Sequence, residues 1–147
     1  MTLLPPSSNA SYRGAPASAA FLALLAVTTI VPGAIHFFLP DGGAGVIAGL
    51  DLSVNGAVIV GVFAWMGATQ IAYGFAQLAV ALRYRALTPL MLLLALIEKG
   101  LAALAGWVTK TSPSGHHPPE HYGALIAVPL IAVFLVFALR EPKPRSA

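Results

Sequence analysis

The chain has 147 residues, of which 58% are hydrophobic and only 9% are charged, and its formal net charge is +3. Soluble domains carry about 25% charged residues, so this chain has too little charge to cover a water-facing surface. It contains no cysteine, which excludes disulfides, thiol redox chemistry and iron–sulfur clusters. Its few basic residues stand at the ends of hydrophobic segments, so we expect no nucleic-acid partner, and P-loop and dinucleotide-binding motifs are absent.

The first third of the chain predicts one helix between two irregular segments. Residues 1–16 are rich in Ser, Pro and Gly, which predicts a disordered N-terminal segment. The apolar run 17–39 predicts a first helix that is retained rather than cleaved, because Pro32 stands where a signal peptide needs a small residue. A Gly-rich connection over residues 40–52 follows, and Asp51 or Ser53 is expected to cap the second helix.

Three further helices are predicted after this connection. The second runs over residues 54–82 and ends at the basic turn 83–85. Thr88 and Pro89 favour the start of a third helix over residues 89–108. The prolines of the polar loop 110–122 predict that this loop is not helical. A fourth helix is predicted over residues 123–139 and a basic cytoplasmic tail over residues 140–147. Each helix can span a hydrocarbon core of about 30 Å, so the predicted fold class is an all-α transmembrane four-helix bundle.

The charge distribution predicts the orientation of the bundle. With four spans, both termini and the second-to-third turn lie on one side of the membrane. That side holds most of the basic residues, namely Arg13, Arg83, Arg85, Arg140, Lys143 and Arg145. Because positive charge collects on the cytoplasmic side, we expect a multi-pass protein of the cytoplasmic (inner) membrane with cytoplasmic N- and C-termini.

Glu98 and Lys99 lie at the centre of the third apolar run, where a charge costs at least about 2.5–3.5 kcal/mol on insertion scales. Adjacent helical side chains diverge by about 100° and do not face each other, so we expect the two residues not to pair with each other. At similar depth we predict a polar seam between helices one to three, with helix four as an apolar support. The seam is predicted to form a ligand-binding or proton site from Glu98, Lys99, Gln70, Tyr73, Trp65, Thr29 and His36. The alternative is that these groups only join the helices through hydrogen bonds.

A second group of polar residues lies on the predicted outer side, with His36 near a helix end and His116, His117, Glu120 and His121 in the segment HHPPEH. Imidazoles and carboxylates are ligands of first-row metals, which makes His116, His117 and His121 weak candidates for a metal site. Their spacing matches no zinc pattern, so we favour a solvated loop and predict no metal and no cofactor.

The run from Met66 to Trp107, MGATQIAYGFAQLAVALRYRALTPLMLLLALIEKGLAALAGW, resembles the DoxX-like group of small four-helix bacterial integral membrane proteins. Those proteins share a Tyr-Gly pair in the second helix, a basic turn, and a polar residue in a third helix of small residues. Many of them carry an Arg where this chain has Gln70. The resemblance implies fold and location more than activity.

Three functions are compatible with these features. The favoured one is a non-enzymatic binding or accessory membrane protein whose seam holds a lipid-like ligand or a partner helix. The second is a proton-coupled transporter that acts as an oligomer, with Glu98 as the proton site. The third is an intramembrane lipid isomerase with Glu98 as acid–base. The expected partners are the lipid bilayer and either a second copy of the chain or another membrane protein.

Overall fold

The computed structural model of the protein describes residues 3–112 and 115–140, and those residues form helices and connections with no strand. The prediction of an all-α four-helix fold is confirmed. The four long helices are α1 (Pro16–Phe38), α2 (Gly56–Arg83), α3 (Thr88–Leu104) and α4 (Pro119–Leu139). Short 3₁₀ turns cover Asn9–Ser11 and Arg85–Leu87, and α3 continues into a π-helical turn over Ala105–Thr109.

Two helix starts differ from the predictions. The fourth helix begins at Pro119 rather than at residue 123, because a proline in the first turn lacks only an N–H that would have no helical partner there. The second helix is preceded by Asn55 in the left-handed conformation, with φ of 59°. Neither predicted cap is used, because the carboxylate of Asp51 accepts a hydrogen bond from the backbone N–H of Ser53 instead.

All four helices, counting α3 together with its flanking turns, are long and apolar enough to cross a membrane. Large apolar side chains cover their outer surfaces: Phe38, Trp65 and Leu139 are between 64% and 76% exposed. Such a surface is favourable against lipid tails and unfavourable against water. The chain is therefore a small multi-pass integral membrane protein.

The helices alternate in direction, so the bundle has two distinct ends. The backbone N–H of Ala15, before α1, donates to the carbonyl of Phe137 near the end of α4. We call this the basic end, because Arg13, Arg83, Arg85 and Arg140 lie there. The opposite end, where α1 ends and α4 begins, is called the histidine end and contains His36, His116, His117 and His121.

The hydrophobic core lies toward the basic end. Each of the four helices contributes two buried residues to this core, both from the half of the helix that is nearer the basic end. These residues are Leu22, Leu25, Val80, Ala81, Leu92, Ala95, Ile131 and Ala138. Away from this core, α1 packs mainly on α2 and α3 packs mainly on α4, while α2 and α3 make few contacts with each other. The bundle is thus two helix pairs joined most firmly at the basic end, and α4 packs chiefly on α3 rather than supporting all three helices equally.

Glycines allow α1 and α2 to approach closely. A Cβ atom built on Gly67 would lie 2.6 Å from the carbonyl oxygen of Gly33, and one on Gly33 would lie 3.0 Å from the carbonyl oxygen of Gly67. A Cβ on Gly74 would collide with the side chain of Ile30. Small residues at helix contacts are a common means of close packing in membranes, and here they set the distance between the two helices.

The N-terminal segment, for which composition predicts disorder, is held against the end of α2. The side chain of Asn9 donates to the carbonyl of Leu82 (2.8 Å) and accepts from the backbone N–H of Arg85 (3.2 Å). The hydroxyl of Ser7 and the backbone N–H of Ser8 both donate to the carbonyl of Arg83. Carbonyls that a helix end leaves unpaired are thereby satisfied. At the other terminus, residues 141–147 of the predicted basic tail, including Lys143 and Arg145, lie outside the described residues.

Candidate functional site

The polar face of α2 contains buried atoms that lack hydrogen-bond partners. Gln70, Tyr73 and Gln77 follow one another at spacings of three and four residues, which places them on one side of the helix. The side-chain oxygens of all three are buried and form no hydrogen bond of good geometry within the part of the chain that the structure describes, although the side chain of Gln77 lies close enough to the Tyr73 hydroxyl to interact with it. Buried polar atoms are satisfied in more than about 90% of cases, so three in succession are unusual.

Glu98 and Lys99 form an ion pair, which contradicts the prediction that they do not pair. Nζ of Lys99 donates to Oε1 of Glu98 at 3.2 Å. The two Cβ atoms diverge around the helix as expected, but the long lysine side chain can bend back along the surface. The side chain of Glu98 is 45% exposed and that of Lys99 is 24% exposed. The pair is therefore reachable from the surroundings of the bundle.

Glu98 of α3 is near enough to Tyr73 to act on it electrostatically, while Gln70 also packs against α1, since a Cβ atom on Gly33 would lie 2.9 Å from Cβ of Gln70. We call this surface, made by Gln70, Tyr73 and Gln77 of α2 and Glu98 of α3, the α2–α3 face. The two helices that form it make few direct contacts. The arrangement offers a carboxylate and buried amide and hydroxyl groups to a molecule that reaches this face.

Two residues predicted for the seam, Thr29 and Trp65, are already satisfied or lie elsewhere, and the neighbouring Thr69 is also satisfied. The hydroxyl of Thr29 is buried but donates to the carbonyl of Leu25 in its own helix (2.8 Å). Thr69, at the depth of Gln70, donates to the carbonyl of Trp65 (3.2 Å). Trp65 itself is 76% exposed on the outer surface, so it does not line the face. Thr and Ser hydroxyls commonly bond to the carbonyl one turn earlier, and this local bonding removes both threonines from the site.

His36 belongs to the histidine end and not to the α2–α3 face. Its Nδ1 lies 2.8 Å from the carbonyl oxygen of Gly42, and because a carbonyl only accepts, Nδ1 carries the proton. Its Nε2 is buried without a hydrogen-bond partner among the described residues and lies 3.9 Å from Oε1 of Glu120. The ring also contacts Phe63 edge-on, with centroids 5.0 Å apart. This geometry holds the ring in one orientation against the first turn of α4.

The other histidines stabilise the connections rather than surround a metal. Nε2 of His116 lies 2.7 Å from the carbonyl oxygen of Ala48, which joins the two connections at this end. His117 stacks on Trp107 with ring centroids 4.0 Å apart, and its Nδ1 lies 3.2 Å from Nδ1 of His121. No group of three potential metal ligands occurs within residues 3–112 and 115–140. The weak metal candidates therefore have no support from the geometry.

The connection between α1 and α2 is organised by Asp41. Its carboxylate accepts hydrogen bonds from the backbone N–H groups of Val46, Gly43 and Gly45 at 2.9–3.1 Å. These bonds, that from Val46 first, hold the pKa of Asp41 below its ordinary value. The loop places Gly42 where its carbonyl meets His36, so Asp41 indirectly positions the histidine.

The sequence predicts part of the contact between His36 and Glu120 and gives little sign of the binding of Asn9. It places His36 and Glu120 in one polar group on the outer side, but it does not show that the helical start at Pro119 turns Glu120 toward His36. Composition predicts disorder around Asn9, and the one feature that indicates its binding is the set of unpaired carbonyls that any helix end presents.

Comparisons with known proteins give no further guide: no family model, no curated protein and no solved structure matches the chain. We therefore infer function from the geometry of the α2–α3 face.

Proposed function

We propose that this integral membrane protein is a binding or accessory protein whose α2–α3 face holds a lipid-like molecule. The observation that carries the proposal is the row of buried, unpartnered oxygens on Gln70, Tyr73 and Gln77. Leaving a buried polar group unpaired costs about 1–3 kcal/mol, and lipid tails supply no partner. A ligand with a hydroxyl or carbonyl group would satisfy these atoms.

The ligand is expected to be slim rather than a whole helix. The 3₁₀ turn Arg85–Leu87 joins α2 to α3, and the core at the basic end contains residues of both helices. A partner helix about 10–12 Å across would have to separate α2 from α3 over much of their length. A single acyl or isoprenoid chain with one polar group needs less separation and can enter directly from the bilayer.

Native mass spectrometry of protein released from mild detergent tests this proposal. We expect the wild-type protein to retain a lipid-sized adduct that Gln70→Leu and Tyr73→Phe lose. Thr69→Val is the matched control, because Thr69 lies beside Gln70 but its hydroxyl is already bonded within the helix. An adduct that is absent from the wild type, or that persists in both site variants, would contradict the proposal.

The second candidate function is a proton-coupled carrier. The observation that favours it is that the Glu98–Lys99 pair is reachable from outside the bundle. A carrier predicts proton flux in liposomes that Glu98→Gln abolishes, whereas a binding protein shows none in either form. A lipid isomerase needs a second acid or base near Glu98, and the sequence offers His36 and Lys99 for that role. His36 lies instead between Gly42 and Glu120, which leaves Lys99, paired with Glu98 at 3.2 Å.

We also propose that the basic end faces the cytoplasm and that the chain is related to the DoxX-like group. The charge distribution supports the first statement, and the second depends on the resemblance of the run from Met66 to Trp107 alone. Because the chain has no cysteine, single cysteines can test the orientation. A membrane-impermeant maleimide should label Lys110→Cys but not Ser11→Cys in intact cells, and the reverse labelling would contradict the proposed orientation.

A further inference from the structure

The basic end contains a pocket that is separate from the α2–α3 face. Its volume is about 210 Å³, and it lies between the N-terminal segment, the start of α3 and the end of α4. The residues that matter for its chemistry are Tyr12, Arg13, Gly14, Pro89, Ala138 and Arg140. Its position at the ends of three membrane-spanning helices places it at the level of lipid headgroups.

Two of the four arginines at the basic end line this pocket, and the other two are used elsewhere. Arg83 donates from Nε and Nη2 to the carbonyl of Pro5, and Arg85 donates from Nε to the carbonyl of Ala81. Arg13 and Arg140 are exposed and form no ion pair or hydrogen bond with any described residue, although Arg140 lies over the ring of Phe137. Every acidic residue of the described chain lies at the histidine end or near the middle of α3. Two arginines therefore line one pocket without a negative partner among residues 3–112 and 115–140.

The wall of the pocket is fixed by backbone contacts. The hydroxyl of Tyr12 donates to the carbonyl of Ala15 at 3.0 Å. A Cβ atom on Gly14 would collide with the carbonyl oxygen of Ala138 and with the ring of Tyr12. The N-terminal segment is thus packed directly against the end of α4, and this contact keeps Arg13 near Arg140.

We propose that this pocket binds a phosphate group of the kind that an anionic phospholipid headgroup presents. Guanidinium groups match phosphate oxygens in charge and in hydrogen-bond geometry. Basic residues beside a membrane-spanning segment attract anionic lipids. The pocket additionally provides a concave surface that can enclose a headgroup. The site does not depend on the function of the α2–α3 face.

The test uses the full chain in a neutral detergent, titrated with dioctanoyl phosphatidylglycerol, dioctanoyl phosphatidylcholine and inorganic phosphate, with binding measured by thermophoresis. We expect phosphatidylglycerol to bind more tightly than phosphatidylcholine. Arg13→Gln and Arg140→Gln should each weaken that binding about tenfold or more, as expected for loss of a charged hydrogen bond. Arg83→Gln is the control of equal charge at the same end and should change it less than about twofold, since Arg83 lies outside the pocket.

The outcomes separate the alternatives. Equal weakening in Arg83→Gln, or no preference for phosphatidylglycerol and no binding of phosphate, would overturn the proposal. Binding of inorganic phosphate with the same dependence on Arg13 and Arg140 would support the phosphate site and assign free phosphate as its source. If a Gln variant fails to fold, Arg13→Lys and Arg140→Lys keep the charge but lose the two-pronged geometry. They should weaken phosphatidylglycerol binding several-fold, and unchanged binding would overturn the proposal.

Discussion

The close contact between α1 and α2 makes a quantitative prediction about two glycines of the same helix. Gly67→Ala places a methyl group 2.6 Å from the carbonyl oxygen of Gly33 and 2.9 Å from both Cβ of His36 and the backbone nitrogen of Phe37. Two of these three atoms belong to the backbone, so a change of side-chain rotamer cannot relieve the contact. The helices must separate, and overpacking of this kind costs about 1–3 kcal/mol.

Gly61→Ala is the matched control, because no described atom outside the local helix lies within 4 Å of a Cβ atom at that position. Both substitutions replace glycine by alanine inside α2, which by itself favours the helix by up to about 1 kcal/mol. The difference between the two variants therefore isolates the contact with α1. We expect Gly67→Ala to be about 1–3 kcal/mol less stable than Gly61→Ala.

Thermal unfolding in detergent, followed by circular dichroism, measures this difference. Gly67→Ala should unfold at a lower temperature than the wild type, and Gly61→Ala at the same or a higher temperature. If the two variants unfolded at the same temperature, the close approach of α1 and α2 at Gly33 and Gly67 would be refuted.

The remaining predictions concern the two ends of the bundle. Asn9→Ala removes two hydrogen bonds at the end of α2 and should lower the free energy of unfolding by about 1–3 kcal/mol, measured by thermal denaturation; an unchanged value would mean that the segment is not bound there. His36→Ala leaves the carbonyl of Gly42 unpaired and should cost about 1–3 kcal/mol in the same assay. Glu120→Gln should change stability by less than about 0.5 kcal/mol, because its contact with His36 is longer than a hydrogen bond. Since the folded-state pKa of Asp41 is lowered, its contribution is present above the unfolded pKa and is lost as the pH falls through the folded pKa. The amide resonances of residues 43–46 should therefore shift together below about pH 4, and a midpoint above that would contradict the bonding.

The fold was largely predictable because its strongest signals are local in sequence. Four apolar runs of sufficient length and a few basic residues at their ends determine the spans and their order. The predicted start of α4 is four residues too late, because Pro119 is a first-turn residue of the helix and not a helix breaker.

The site was less predictable, because it depends on how far side chains reach and on which helices pair. Helical periodicity correctly put Gln70 and Tyr73 on one side of α2. It could not show that Lys99 bends back to Glu98, that Thr29 bonds to its own helix, or that Trp65 points outward. These outcomes depend on rotamers and on the rotation of each helix within the bundle, neither of which has a signal in a single sequence.

The binding of the N-terminal segment has a consequence for the order of events during synthesis. Ser7 and the carbonyl it contacts are 76 residues apart. At about 5–20 residues per second, the segment emerges about 4–15 seconds before its site on α2 exists. The segment can therefore bind only after α2 has been made.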